Sequence, residues 1–282
     1  MKIYMEKIKI ITDSTADLPK EIYEKYDIEV LPLLINFGEE SYLDGVEINT
    51  NEVFERIRNE NILPTTAQVT PNRFVEIYKK YLAEGYKIIS IHMSSVMSGT
   101  YQSACIAKEM LESQDIIVVD SQNVTAALGI LVLKAVKLIE KGYNISEVEE
   151  KLNSIRNKVK LSVYFDSLEY LVRGGRISKT AGMVGGMLGI KLILEIKDGI
   201  MSVKDKIRGN KKAIKKIISD LENATLDEEV PVILIDVNNI EVKEALRTYM
   251  NDNNVNFIEC QVGSTVCIHS GPGCCGLVFL NK

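Results

Sequence analysis

The sequence predicts an α/β protein in two domains: an N-terminal three-layer α/β/α unit with a mainly parallel sheet over residues 1–155, and a C-terminal two-layer α/β unit with a mixed sheet over 156–282. Three observations carry this. In the first half, short apolar runs alternate with amphipathic stretches long enough for a helical crossover, the pattern of βαβ units. From about "SEVEEKLNSIRNKV" onward, strand-like runs crowd together with fewer helices between them. Within that second part "KDGIM" sets an Asp-Gly pair between strand residues, which is hairpin chemistry.

Taken in order, "KIKIIT" reads as a strand ending at Asp13, and "STADLPKEIYEKY" as a helix capped by Ser14 or Asp17 with Pro19 near its first turn. "IEVLPLLINF" reads as the next strand. "NTNEVFERIRNE" is a helix with an Asn or Thr cap, and "TPNRFVEIYKKYLAEG" a second helix closed by Gly85. "IISIH" and "DIIVVDS" are strands, and "NVTAALGILVLKAVKLIEKG" a long, largely buried helix. The second part supplies the strands "KLSVYFD", "KLILEIKDGIMSVKDKI", "VPVILIDV", "VNFIECQV" and "GLVFL". In parallel sheets ligands gather at the carboxyl ends of strands, where this reading places Asp13, Ser14, Ser94 to Ser98, Asp120 and Ser121.

Composition excludes several function classes. A net charge of −5 over 282 residues gives no electrostatic reason to expect nucleic acid. The longest apolar runs fall short of a membrane span, and the N-terminus lacks the apolar block of a signal peptide. Five cysteines without a CxxC pair, and only two histidines, point to a reduced, cytoplasmic protein without a structural metal. With no heptad seam, the expected state is a monomer.

The richest stretch is "SSVMSGTYQSA", where four hydroxyls and Gly99 meet the start of a helix. The first N–H groups of a helix lack intrahelical partners and favour an anion; the plain alternative is a capping serine and a turn. "GPGCCG" spells GxGxxG, but no helix or second strand follows it, so a dinucleotide fold is excluded. It is instead a tight turn that brings backbone amides and His269 close to a site, with His269 read at the end of an apolar strand. "GGRISKT" lacks the spacing of a phosphate loop. "LEYLVRGGRIS" is either a helix closed by a glycine cap or a protruding loop that offers Arg173 and Arg176 to a phosphate or a partner. "AGMVGGMLGI" is core packing or one wall of an apolar slot.

Five segments together resemble the DegV family, bacterial fatty-acid-binding proteins that serve as substrate-carrying subunits of fatty acid kinase. They are "ITDSTADLP", "PTTAQVTP", "SSVMSGTYQSA", "LEYLVRGGRIS" and "HSGPGCCG", in the family's order from residue 8 to residue 278. The resemblance implies a long-chain fatty acid lying in a tunnel between the domains, with no other cofactor. Its carboxylate would be held by Thr66, Ser98, Gly99 and His269, with Ser14, Ser95, Thr100 and Gly271 as further candidates. A separate ATP-binding kinase would phosphorylate that carboxylate, contacting the Arg173, Gly174, Gly175 and Arg176 loop. Neither nucleic acid nor a transmembrane segment is implied; transient membrane contact stays open. Hydroxyls and a histidine would partner the head group without a full opposing charge and leave it free to react.

The pattern departs from the family at Ala67, Val69 and Leu192, and Cys274 and Cys275 are bulky enough to narrow the site. Two other readings stay open. One is a lipid acyl hydrolase or transferase that needs a serine beside His269 and a carboxylate such as Asp13 or Asp120 behind it, although no GxSxG elbow is present. The other is a stand-alone carrier or sensor of an anionic amphiphile.

Overall fold

The computed structural model describes residues 6–177 and 189–282. β1 (Ile8–Asp13) passes through a 3₁₀ turn, Ser14–Ala16, into α1 (Lys20–Lys25). β2 (Glu29–Leu31), β3 (Leu34–Phe37), β4 (Glu40–Leu43), α2 (Thr50–Glu60) and β5 (Thr65–Ala67) follow. α3 (Pro71–Ala83), β6 (Lys87–His92), α4 (Thr100–Leu111), β7 (Ile116–Asp120), α5 (Ala126–Glu140) and α6 (Ile145–Ile155) close the first half. The second half runs β8 (Val159–Phe165), α7 (Glu169–Gly174), β9 (Ile190–Lys197), β10 (Ile200–Arg208) and α8 (Asn210–Glu222). It ends with β11 (Val232–Asp236), α9 (Ile240–Asp252), β12 (Phe257–Gln261), α10 (Ser264–Ser270) and β13 (Cys275–Leu280).

Strands β2-β1-β6-β7 form a four-stranded, wholly parallel sheet. α3 and α4 cover one face, and α5 and α6 the other, giving three layers. Buried on both faces, β1 and β6 must be nearly continuous in apolar residues, which is how they read. The second half forms one mixed six-stranded sheet in the order β10-β9-β8-β13-β11-β12, with only β11 and β12 parallel. α8 and α9 cover one face of it. α5 lies against β1 and β6 on one side and against β8 and β13 on the other, so its apolar residues run all round it.

Three expectations change. "IEVLPLLINF" is two strands, because Pro32 cannot donate to a ladder. β2 joins the parallel sheet, while β3 turns away into a small antiparallel sheet, β4-β3-β5. Neither Ser14 nor Asp17 caps α1, whose first turn has no side-chain cap. Asp13 caps the 3₁₀ turn, and Asp17 takes a left-handed conformation (φ 49°) with its carboxylate buried. His269 does not end a strand: "STVCIHS" is the short helix α10. The expected glycine-methionine wall lies outside the described residues over 181–188, as does the end of "GGRISKT".

The hairpin reading holds: Asp198 and Gly199, at φ 52° and 78°, connect β9 and β10. The Asn cap of α2 is Asn49, in a reciprocal box with Glu52.

Candidate functional site

A cavity of about 320 Å³ opens between the parallel sheet and the face of the six-stranded sheet opposite α8 and α9, within the size range of small-molecule sites. One wall follows from strand periodicity. Leu161, Val163 and Phe165 alternate along β8 and line the cavity, while Ser162 bonds Asp220 of α8 and Tyr164 packs in the core beneath α8 and α9. Met93 and Met97 come from the carboxyl end of β6, where the strand order reverses between β1 and β6.

The polar groups follow one another around the cavity. Thr66 on β5 sits opposite His269 on α10, with Oγ1 2.9 Å from Nε2. A methyl on Gly174 would lie 2.5 Å from His269 Nδ1, so a residue without Cβ lets that ring pack on the end of α7. Arg176 donates Nη1–H to Gly174 O and Nε–H to Met97 O, the latter at 3.3 Å. Met97 leads to Ser98 and Gly99. A Cβ on Gly99 would stand 2.0 Å from Gln68 Oε1, and Gln68 returns the path to Thr66. All these residues except Gly174 line the cavity. Thr66 and Ser98 thus face one space with Gly99, Gln68, His269 and Arg176.

Ser98 is part of its own helix start. Its Oγ accepts from Thr100 N–H at 3.3 Å and shares a proton with Thr100 Oγ1 at 3.1 Å, so Ser98 serves the turn and lines the cavity at once. Burial, then the charges of Arg176 and Arg173, hold His269 down to about 4. The ring is therefore neutral near pH 7 and carries one N–H and one acceptor nitrogen.

Four candidates lie elsewhere and do not line the cavity. Ser14 Oγ donates to Asp44 and accepts from Leu33 N–H. Ser95 bonds Asp120 on the surface. Thr100 is buried behind Ser98, and Gly271 packs on the Tyr170 ring. The two arginines also part company. Arg173 is exposed over the Tyr170 ring, whereas half-buried Arg176 lines the cavity. Arg176 thus brings a full charge to the cavity, where hydroxyls and a histidine alone were expected, although it spends two donors on backbone oxygens. Cys274 lines the cavity, but Cys275 faces the core under α8 and α9. Sequence reasoning assigned no role to Gln68; its place beside Thr66 in "TTAQ" was the available signal.

The carboxylates that a serine hydrolase would need are engaged elsewhere. Asp13 accepts from Thr15 and from Met93 N–H and pairs with His92, 3.0 Å away, while Asp120 holds Ser95. Among the described residues, the hydrogen bonds of the His269 ring reach Thr66 and no serine or carboxylate. No group of three or more His, Cys, Asp or Glu side chains among them is arranged to hold a metal ion. No helix among them is long and apolar enough to cross a membrane.

Fold and cavity together define a two-domain α/β protein with a largely apolar space between sheets and a polar rim. The model of the DegV family, described as an uncharacterised protein family, matches residues 7–282. A DegV domain-containing protein of Clostridium perfringens is 52% identical over 278 residues, covering 99% of this chain and 100% of its own. A fatty-acid-binding DegV family protein of Thermus thermophilus superposes with a TM-score of 0.89 at 29% identity, over 98% of this chain and 100% of that one. DegV of Bacillus subtilis, described as a fatty acid binding protein, gives 0.86 at 32%, with 98% and 100% covered. The chain belongs to the DegV family.

Proposed function

We propose that this protein binds a long-chain fatty acid in the cavity between residues 1–155 and 156–282, with the carboxylate at Thr66, Ser98, Gly99 and His269. The observation that carries the reading is the 2.9 Å approach of Thr66 Oγ1 to His269 Nε2 at the rim of a largely apolar space. A chain of about 15 buried methylenes contributes roughly 12 kcal/mol before association and ordering costs. A carboxylate without partners would offset much of that, so hydroxyls and a neutral imidazole belong at one place on the rim. Solved relatives that bind fatty acids support the same reading.

The protein acts as a carrier, and chemistry belongs to a separate ATP-dependent kinase. A carboxylate oxygen attacks the γ-phosphorus, the bond to ADP breaks, and an acyl phosphate and ADP result. The exposed Arg173, with Gly174 and Gly175, is the contact for that partner; Arg176, facing inward, joins both surfaces. The setting is cytoplasmic.

Mass spectrometry of the purified protein, native and then denatured, tests the binding step. A stoichiometric fatty acid released on denaturation, and its loss in the Thr66→Val/Ser98→Ala double variant, are the expected results. Undiminished occupancy in the folded double variant would overturn the head-group assignment.

A further inference from the structure

We infer that Asp17 and Asp44 are positioning residues that clasp the N-terminus of α10 and so hold His269 opposite Thr66. α10 belongs by sequence to the second half, yet its first turn is seated on the first. Thr50 Oγ1, at the start of α2, donates to Val262 O at 3.0 Å, one residue before the Gly263 cap. Gly263 has no room for a side chain: a Cβ there would lie 2.5 Å from Asp17 Oδ1. The other Asp17 oxygen accepts from Thr125 Oγ1 at 2.7 Å, while Oδ1 is buried without a hydrogen bond and faces Gly263. Asp44 accepts from Ser14 Oγ at 2.8 Å. The Ser264 hydroxyl and the Thr265 hydroxyl and N–H favour its ionised form, although Thr265 Oγ1 makes no hydrogen bond of ordinary geometry.

Two buried acidic side chains therefore lie against the first turn of a two-turn helix, whose N–H groups lack intrahelical partners. None of Ser14, Asp17, Asp44 or Thr50 lines the cavity. Burial raises both carboxyls, and their mutual repulsion, with Asp13 nearby, raises Asp17 further. At its other end α10 carries His269, which faces Thr66 on β5 and the charges of Arg173 on α7 and Arg176 just after it. The head-group geometry is thus set from the N-terminal half through a helix of the C-terminal half.

The inference rests on the proposed function for its consequence in lipid binding, but the clasp is read independently. With only two histidines, the pH titration of the His269 ring resolves by proton NMR in the full chain. In folded Asp44→Ala and Asp17→Ala, the His269 midpoint should rise by about one pH unit or more towards its ordinary value as the ring leaves its buried seat. Asp44→Asn, which keeps an acceptor, should restore much of it. Palmitate retention should fall about tenfold in the alanine variants and recover in parallel. Ile217→Val, on the buried face of α8, is the control for general loss of stability and should leave the midpoint unmoved. An unmoved midpoint in a folded alanine variant, or an equal shift in Ile217→Val, would overturn the clasp. If the alanine variants do not fold, Gly263→Ala, which pushes against Asp17, carries the same test. Failure of wild-type protein to bind palmitate would count against the proposed function while the titration still reads the clasp.

Discussion

His269 shows how a single side chain is converted from a base into a neutral hydrogen-bonding group. Its ordinary midpoint is 6.5, and burial with two nearby guanidinium groups brings it to about 4 in the folded protein. Between those values an unfolded chain takes up a proton that the folded one refuses, so acidification through that window drains stability. Replacing the imidazole removes the drain. His269→Gln should therefore gain on the parent as pH falls from about 6.5 to about 4, with the two melting temperatures read side by side. A difference that stays flat across the window would mean that the folded ring titrates like a free one. The raised carboxyls of Asp17 and Asp44 act with the opposite sign, costing stability as pH rises past their ordinary range, which is why the paired comparison is needed.

Elements are held by closer fits than residue type conveys. Gly276 in β13 lies so near β8 that a Cβ would meet Ser162 O at 2.3 Å and Val163 Cα at 2.6 Å. Both neighbours are backbone, so neither can swing aside. Gly276→Ala should cost about 1–3 kcal/mol, the range for overpacking, visible as a lower thermal midpoint. Because Val163 belongs to the cavity wall, fatty acid retention should fall with it. An unchanged midpoint would show that the two strands can part without penalty. A contact between the two halves lies at the β9–β10 turn, where Ser94 Oγ donates to Gly199 O at 2.6 Å. Ser94→Ala should loosen that turn by about 1 kcal/mol, measured by chemical denaturation, with a zero change placing the bond among those that water replaces freely.

At the scale of the whole molecule, the proposed carrier role assigns retention and delivery of the lipid to different residues. Arg173→Ala should keep bound lipid yet lower acyl phosphate formation with a reconstituted kinase. An emptied cavity would instead make the residue part of the fold.

Periodicity and punctuation made most elements legible. The apolar runs of β1 and β6, the Asn49 box and the Asp-Gly hairpin are local features, and local physics fixes them. Thr66, Ser98, Gly99 and His269 were legible as candidates through their motifs, and the fold brings them to one rim. The division of the "IEVLPLLINF" run between two sheets, the helix at His269 and the inward turn of Arg176 were not legible. Each involves a partner distant in sequence: β5 for β3, Asp17 beside Gly263 for α10, and Met97 O for Arg176.

The chain by itself determined an alternating α/β half followed by a strand-rich half, because side-chain period and turn residues act over a few positions. Tertiary structure alone decided which strand faces form the cavity, which hydroxyls reach it, and that His269 is neutral. Those outcomes depend on burial and on contacts between residues as far apart as Thr66 and His269, and no local pattern encodes the meeting of such groups.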